Sequence, residues 1–210
     1  MIVPNAQNVI YKEIVYKNII IFINKKNNIN WQFVVKQLSK IDYLLGNIDA
    51  IYYGHHEQLK IKNNLSVYNE GSILISDDVS DDITFLKCIV HEAIHSHSKE
   101  FEKNIFFKKA SKEYLEKKKH VLNLTGNGEQ FSNLLYYNNS FDKHLLNFGY
   151  DKLKKIIKDK FPSPYSITSF IEYVAICAEE LFFGDKIVII KICPFAAKFI
   201  KSIGGNLEED

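Results

Sequence analysis

With 210 residues and 46% hydrophobic side chains, the chain can bury a core, and one domain, or one domain with a small N-terminal lobe, is expected. A formal net charge of +2 gives no general pull toward nucleic acid or an anionic membrane. No apolar run approaches the ~18 residues of a membrane span. The opening residues, MIVPNAQNVIYKEIVYK, lack the basic start and apolar core of a signal peptide, which points to a cytoplasmic location.

Residues 16–23 are β-branched and predict a strand, followed by a polar turn over 25–30. A helix is predicted from Asn30 or Trp31 to about Leu45, with Phe33, Val34, Leu38, Ile41 and Leu45 on one side. Residues 48–53 and 59–61 predict a strand pair around Gly54-His55-His56-Glu57; adjacent residues on a loop seldom complete a metal site, so no second metal is expected there. Residues 71–76 read as a short strand, and 77–82 as a turn with several possible N-caps. Apolar residues at 83, 86, 89, 90, 93 and 94 then set a helical spacing from Ile83 to about Lys103.

That helix carries His91-Glu92-Ala93-Ile94-His95, which fits HExxH. Positions four apart on a helix lie one above the other, so both imidazoles can reach one ion. Zinc suits such ligands and lowers the pKa of a bound water to about 7, and Glu92 stands where a carboxylate can take that water's proton. Cys88-Ile89-Val90, directly before the motif, brings it in from an apolar turn, unlike a helix exposed all round. In zincins such a helix lies behind a sheet whose edge strand can pair with an extended substrate, and residues 71–76 are the candidate for that edge.

Residues 104–160 read as lysine- and asparagine-rich helices and loops, broken at Thr125-Gly126-Asn127-Gly128. The run Lys108, Lys109, Lys112, Lys117, Lys118 and Lys119 reads as the wet side of a helix. The best apolar helix downstream spans 170–183, residues 187–190 form a run of strand length, and Cys193-Pro194 opens a last helix. Cys88, Cys177 and Cys193 lie in apolar surroundings without CxxC spacing, as buried reduced thiols do.

A catalytic zinc normally takes three protein ligands. Position 101 is Phe, which removes the metzincin continuation, and His97 points to another side of the helix and is expected to be solvated. The 170–183 helix offers Glu172, with Glu179 and Glu180 as alternatives; Ser169-Phe170-Ile171-Glu172 also fits a capping box.

HEAIH followed by a tyrosine and, seven residues later, a glutamate opening ExxA resembles the lethal-factor-type zinc peptidases. This is the gluzincin group of the anthrax lethal factor catalytic domain and the Pro-Pro endopeptidases. The tyrosine here is Tyr165 and the later motif is Glu172-Tyr173-Val174-Ala175. The resemblance implies that His91, His95 and Glu172 bind zinc, that Glu92 is the general base, and that Tyr165 stabilises the oxyanion. Two departures stand out: the family's second glutamate is Ile176 here, and the long gap between the motifs implies an insertion around 104–160.

The expected fold is therefore an α+β, zincin-like domain with a small mixed sheet, an HExxH helix and a C-terminal glutamate helix. Its parts are an N-terminal α/β lobe (1–70), the edge strand and HExxH helix (71–103), the helical insertion (104–160), and the glutamate and last helices (161–210). The expected function is zinc-dependent hydrolysis of a peptide or protein substrate, with neither nucleic acid nor membrane as partner. The alternatives are a regulatory zinc peptidase that cleaves a repressor, and a non-enzymatic binding protein with a degenerate or structural metal site.

Overall fold

Two β-branched runs fold back on each other at Lys17-Asn18, where Lys17 takes a φ of 54°. They make an antiparallel hairpin of β1 (Tyr11–Tyr16) and β2 (Ile19–Asn24). The single strand predicted over 16–23 is thus the end of one strand and most of the next; the β-branched pattern runs through the tight turn without marking it. The computed structural model describes residues 11–24, 28–55, 59, 65–126 and 128–203, so part of the predicted turn at 25–30 lies outside it. The architecture is α+β, and the chain divides into two compact units, Met1–His97 and Ser98–Asp210.

In the first unit, Asn30 caps helix α1 (Trp31–Leu38) by accepting a hydrogen bond from the Phe33 amide. The helix ends earlier than its periodicity predicts. Its last turn tightens as the Lys40 and Ile41 amides bond three residues back, and a short 3-10 turn, Asp42–Leu44, carries Ile41, Leu44 and Leu45 into the core.

Strands β3 (Ala50–Gly54), β4 (Ser66–Asn69) and β5 (Ser72–Ser76) complete a mixed sheet of order β1-β2-β3-β5-β4. β2, β3 and β5 run parallel, and β4 pairs antiparallel to β5. Ile21, Ile23, Ile51, Tyr53, Ile73 and Ile75 are all buried, the alternation expected of strands with one face on a core. Two strand expectations are corrected. Leu59 is helical, residues 60 and 61 lie outside the described residues, and the partners of β3 are β2 and β5. Residues 71–76 supply β5, which has β3 and β4 on its two sides; the edge beside the motif helix is β4, a strand the periodicity did not single out.

The β4–β5 turn places Glu70 and Gly71 at φ of 43° and 83°, the primed geometry that suits tight hairpins. A side chain at Gly71 would also put its Cβ 2.6 Å from Asp49 Oδ2. This turn fixes the register of β4.

Helix α2 (Asp82–Ser96) follows, with Asp81 as N-cap accepting from the Thr84 amide at 2.8 Å. It packs against β4, β5 and α1, and Phe85 meets Trp31 and Tyr53 edge-on at 5.2 and 5.3 Å. It stops at Ser96 rather than running to Lys103; a 3-10 segment, Ser98–Lys103, opens the second unit.

The second unit is helical: α3 (Phe107–Thr125), α4 (Asn139–Phe148), α5 (Tyr150–Ile157), α6 (Phe170–Phe183), α7 (Lys186–Ile192) and α8 (Pro194–Ser202). The predicted break falls where α3 ends, at Gly126 with a φ of 70°; Asn127 lies outside the described residues. The short apolar run at 187–190 is part of α7, capped by Asp185 through the Val188 amide; four apolar residues fit helix or strand, and the cap decides. Tyr114, Phe161, Phe170, Tyr173 and Phe199 form an aromatic interior. Cys88 in the first unit and Cys177 and Cys193 in the second are buried and unbridged. Among the described residues, no helix is long and apolar enough to cross a membrane.

The lysine run of α3 is only partly a wet face. Lys108, Lys109, Lys112 and Lys119 are exposed, but Lys117 and Lys118 fall one turn beyond Glu113 and Tyr114, on the buried stripe. Lys118 is fully buried; its Nζ donates to the Leu134 carbonyl at 2.8 Å and lies 4.0 Å from the Phe141 ring centroid. Burial lowers its pKa from 10.5 to about 7. Between those values the unfolded chain holds a proton that the folded chain has released, so stability rises with pH across that window. The cost of burying the charge is fully felt below about pH 7. Lys118→Met should flatten this rise, read as urea midpoints at pH 7 and pH 9.5; an unchanged slope would remove Lys118 as its source.

Candidate metal centre

Helix α2 gains its place from Phe85, Leu86, Ile89, Val90, Ala93 and Ile94, all buried. That packing leaves His91 and His95 half-buried, on one face, with ring centroids 4.9 Å apart and planes 27° from parallel. Their Nε2 atoms are 3.1 Å apart. Two nitrogens each ~2.0–2.1 Å from a tetrahedral zinc would sit roughly 3.3 Å apart, so the pair is spaced for one ion.

Glu92 is buried, with 6% of its surface exposed. Its Oε1 accepts from the Ser66 hydroxyl and its Oε2 from the Tyr68 amide, both at 2.8 Å. The carboxylate inside the HExxH motif is therefore held by β4. The sequence had given no role to Ser66 or Tyr68. The signal available was Ser66-Val67-Tyr68-Asn69 ahead of Glu70-Gly71, a short β-prone run before a turn.

His97 is not simply solvated. Its Nε2 lies 2.9 Å from the Leu44 carbonyl and its Nδ1 3.3 Å from Asn47 Nδ2, so it secures the end of α2. Of the His55-His56-Glu57 loop, where no second metal is expected, His55 follows β3, while His56 and Glu57 lie outside the described residues.

In the second unit, Ser169 caps α6 by accepting from the Glu172 amide at 3.2 Å, the first half of the predicted capping box. Tyr165 stands in a 3-10 turn (Tyr165–Ile167) shaped by Pro164 and by the Ser166 hydroxyl, which donates to the Ser163 carbonyl. This turn packs on α6. The Tyr165 phenol is raised above its ordinary pKa by burial, then by the charge of Glu172 and a hydrogen bond to it. Two of the sequence-predicted residues, Tyr165 and Glu172, are thus in direct contact. Glu180 accepts from the Asp185 amide at the other end of α6.

Among the described residues, the one donor set that could hold a metal ion is His91 and His95 of the first unit with Glu172 of the second. It is the His₂Glu donor set that suits a catalytic zinc. Neither Glu179 nor Glu180 belongs to it. No family model, curated protein or solved structure matches the chain.

Proposed function

We propose that the protein is a zinc-dependent endopeptidase of zincin type, acting on a protein or peptide. The observation that carries this reading is the pair of Nε2 atoms 3.1 Å apart on α2, with a buried carboxylate between them in sequence. His91, His95 and Glu172 would be the ligands. A zinc ion held there would acidify a water and polarise the scissile carbonyl.

The chain supplies the rest. Glu92 takes the proton of the attacking water as the C–O bond forms, then delivers it to the amine nitrogen as the C–N bond breaks. Tyr165, a hydrogen-bond donor beside Glu172, would donate to the oxygen on which charge develops.

Metal content of the purified protein, measured by mass spectrometry after zinc loading and dialysis, tests the ligand set. Wild type should hold about one zinc per chain, and His95→Ala and Glu172→Ala should each hold far less. Zinc retained by Glu172→Ala would move the third position to a residue other than Glu172. Absence of zinc from loaded wild type would overturn the reading.

A further inference from the structure

The carboxylate of Glu92 is held at both ends by a single four-residue strand, β4. The register explains how. In an antiparallel ladder, successive residues turn their backbone groups toward and away from the partner strand. The Leu65 carbonyl accepts from the Ser76 amide, on the β5 side. Ser66 and Tyr68 then turn theirs outward, to the side where an edge strand ordinarily meets solvent. The Tyr68 amide meets Oε2 of Glu92 there instead, and the Ser66 hydroxyl meets Oε1.

We infer that Ser66, together with the Tyr68 amide, is the positioning residue for Glu92, fixing the carboxylate at the angle from which it exchanges a proton with the attacking water. This rests on the peptidase reading. A glutamate side chain turns about three bonds, and a base acts only within hydrogen-bond reach of its proton. Two charge-assisted bonds, one to each oxygen, confine the group to one rotamer. Each carboxylate oxygen offers two acceptor sites, so accepting one bond leaves it able to take the proton. Serine is not a strong strand former; its place on β4 is accounted for by the bond it makes. The Glu70-Gly71 turn matters for the same reason: a one-residue slip of β4 would point Ser66 to the opposite face.

The test uses zinc-loaded full-length protein and one quenched fluorescent peptide, chosen from a pool of short peptides as the best cut by wild type. Ser66→Ala should lower kcat by about 10- to 100-fold, the range a misplaced catalytic group costs. KM should stay within about twofold, because substrate binding is untouched. Ser66→Thr, which restores the hydroxyl, should recover most of kcat. A second readout needs neither zinc nor substrate. By amide hydrogen exchange, Tyr68 should be protected in wild type and exchange quickly in Glu92→Ala, while Val67 and Asn69, which face β5, stay protected.

An unchanged or faster Ser66→Ala overturns the inference, as does a slow Ser66→Ala that threonine does not rescue. Equal Tyr68 exchange in wild type and Glu92→Ala overturns it as well. If wild type cuts nothing in the pool, the peptidase reading falls, while the exchange experiment still decides whether β4 holds Glu92.

Discussion

Glu92→Gln should keep about one zinc per chain and lower kcat by about 10²- to 10⁴-fold, the span attributed to a general acid–base group. The substitution keeps the shape of the side chain and removes its basicity. The hydrogen bonds around it favour a single orientation of the amide. The Tyr68 N–H can only donate, so the glutamine oxygen must face it. The glutamine nitrogen then faces the Ser66 hydroxyl, which can rotate to accept. The fold and the two imidazoles are left in place, and the missing function is proton transfer alone. Metal content and initial rates, measured on one preparation, separate these effects. A Glu92→Gln protein as active as wild type would sink the mechanism.

Glu113→Ala should cost about 3–5 kcal/mol of stability, the range for breaking a buried charge pair by removing one partner. Glu113 is a small hub of the second unit. Its Oε1 accepts from the Tyr173 phenol at 2.6 Å, and its two oxygens accept from the Phe195 and Ala196 amides at 3.0 and 3.3 Å. Those amides belong to the first turn of α8, where a carboxylate satisfies orphan donors and favours the helix dipole. Lys117, one turn along α3, stands 3.5 Å from Oε1 with its side chain only 15% exposed. Truncation would leave a phenol and two amides short of an acceptor in the interior, and would leave the Lys117 ammonium with only the Tyr173 phenol and the Ile192 carbonyl, and no counter-charge. Glu113→Gln keeps an acceptor and should lose clearly less. Urea unfolding of the three proteins, followed by circular dichroism, gives the comparison; equal midpoints for wild type and alanine would show that the hub contributes nothing.

How much of this was legible in the residues depended on whether the signal was local. Helix α6 was read with its true bounds and its Ser169 cap, because an apolar run framed by a serine and a glycine contains all that is needed. For the motif helix only the start, set by Asp81, is legible to within one residue; its end at Ser96 falls well short of the Lys103 that the apolar spacing suggests. The β1–β2 turn escaped because Lys17-Asn18 is not a strong turn pair, and its backbone geometry comes from the hairpin it closes. Lys117 and Lys118 read as solvated in the sequence because a lysine is costly to bury; the partners that permit it, Leu134, Phe141, Tyr173 and Ile192, are distant in sequence or lie on other elements. Within the candidate site, the contact between Tyr165 and Glu172 follows from residues close in the chain. The grip of β4 on Glu92 joins residues 24 and 26 positions apart, and no spacing rule reaches that far.

That grip also bears on how the molecule keeps company with copies of itself. A bare sheet edge offers alternating donors and acceptors to any other bare edge, and stacked chains grow from such meetings. On β4 the outward amide of Tyr68 is already occupied by a carboxylate from its own helix. A second β4 arriving alongside would find a donor missing and a negative charge close by. The carboxylate proposed to move a proton therefore also blunts the β4 edge of the sheet against self-association.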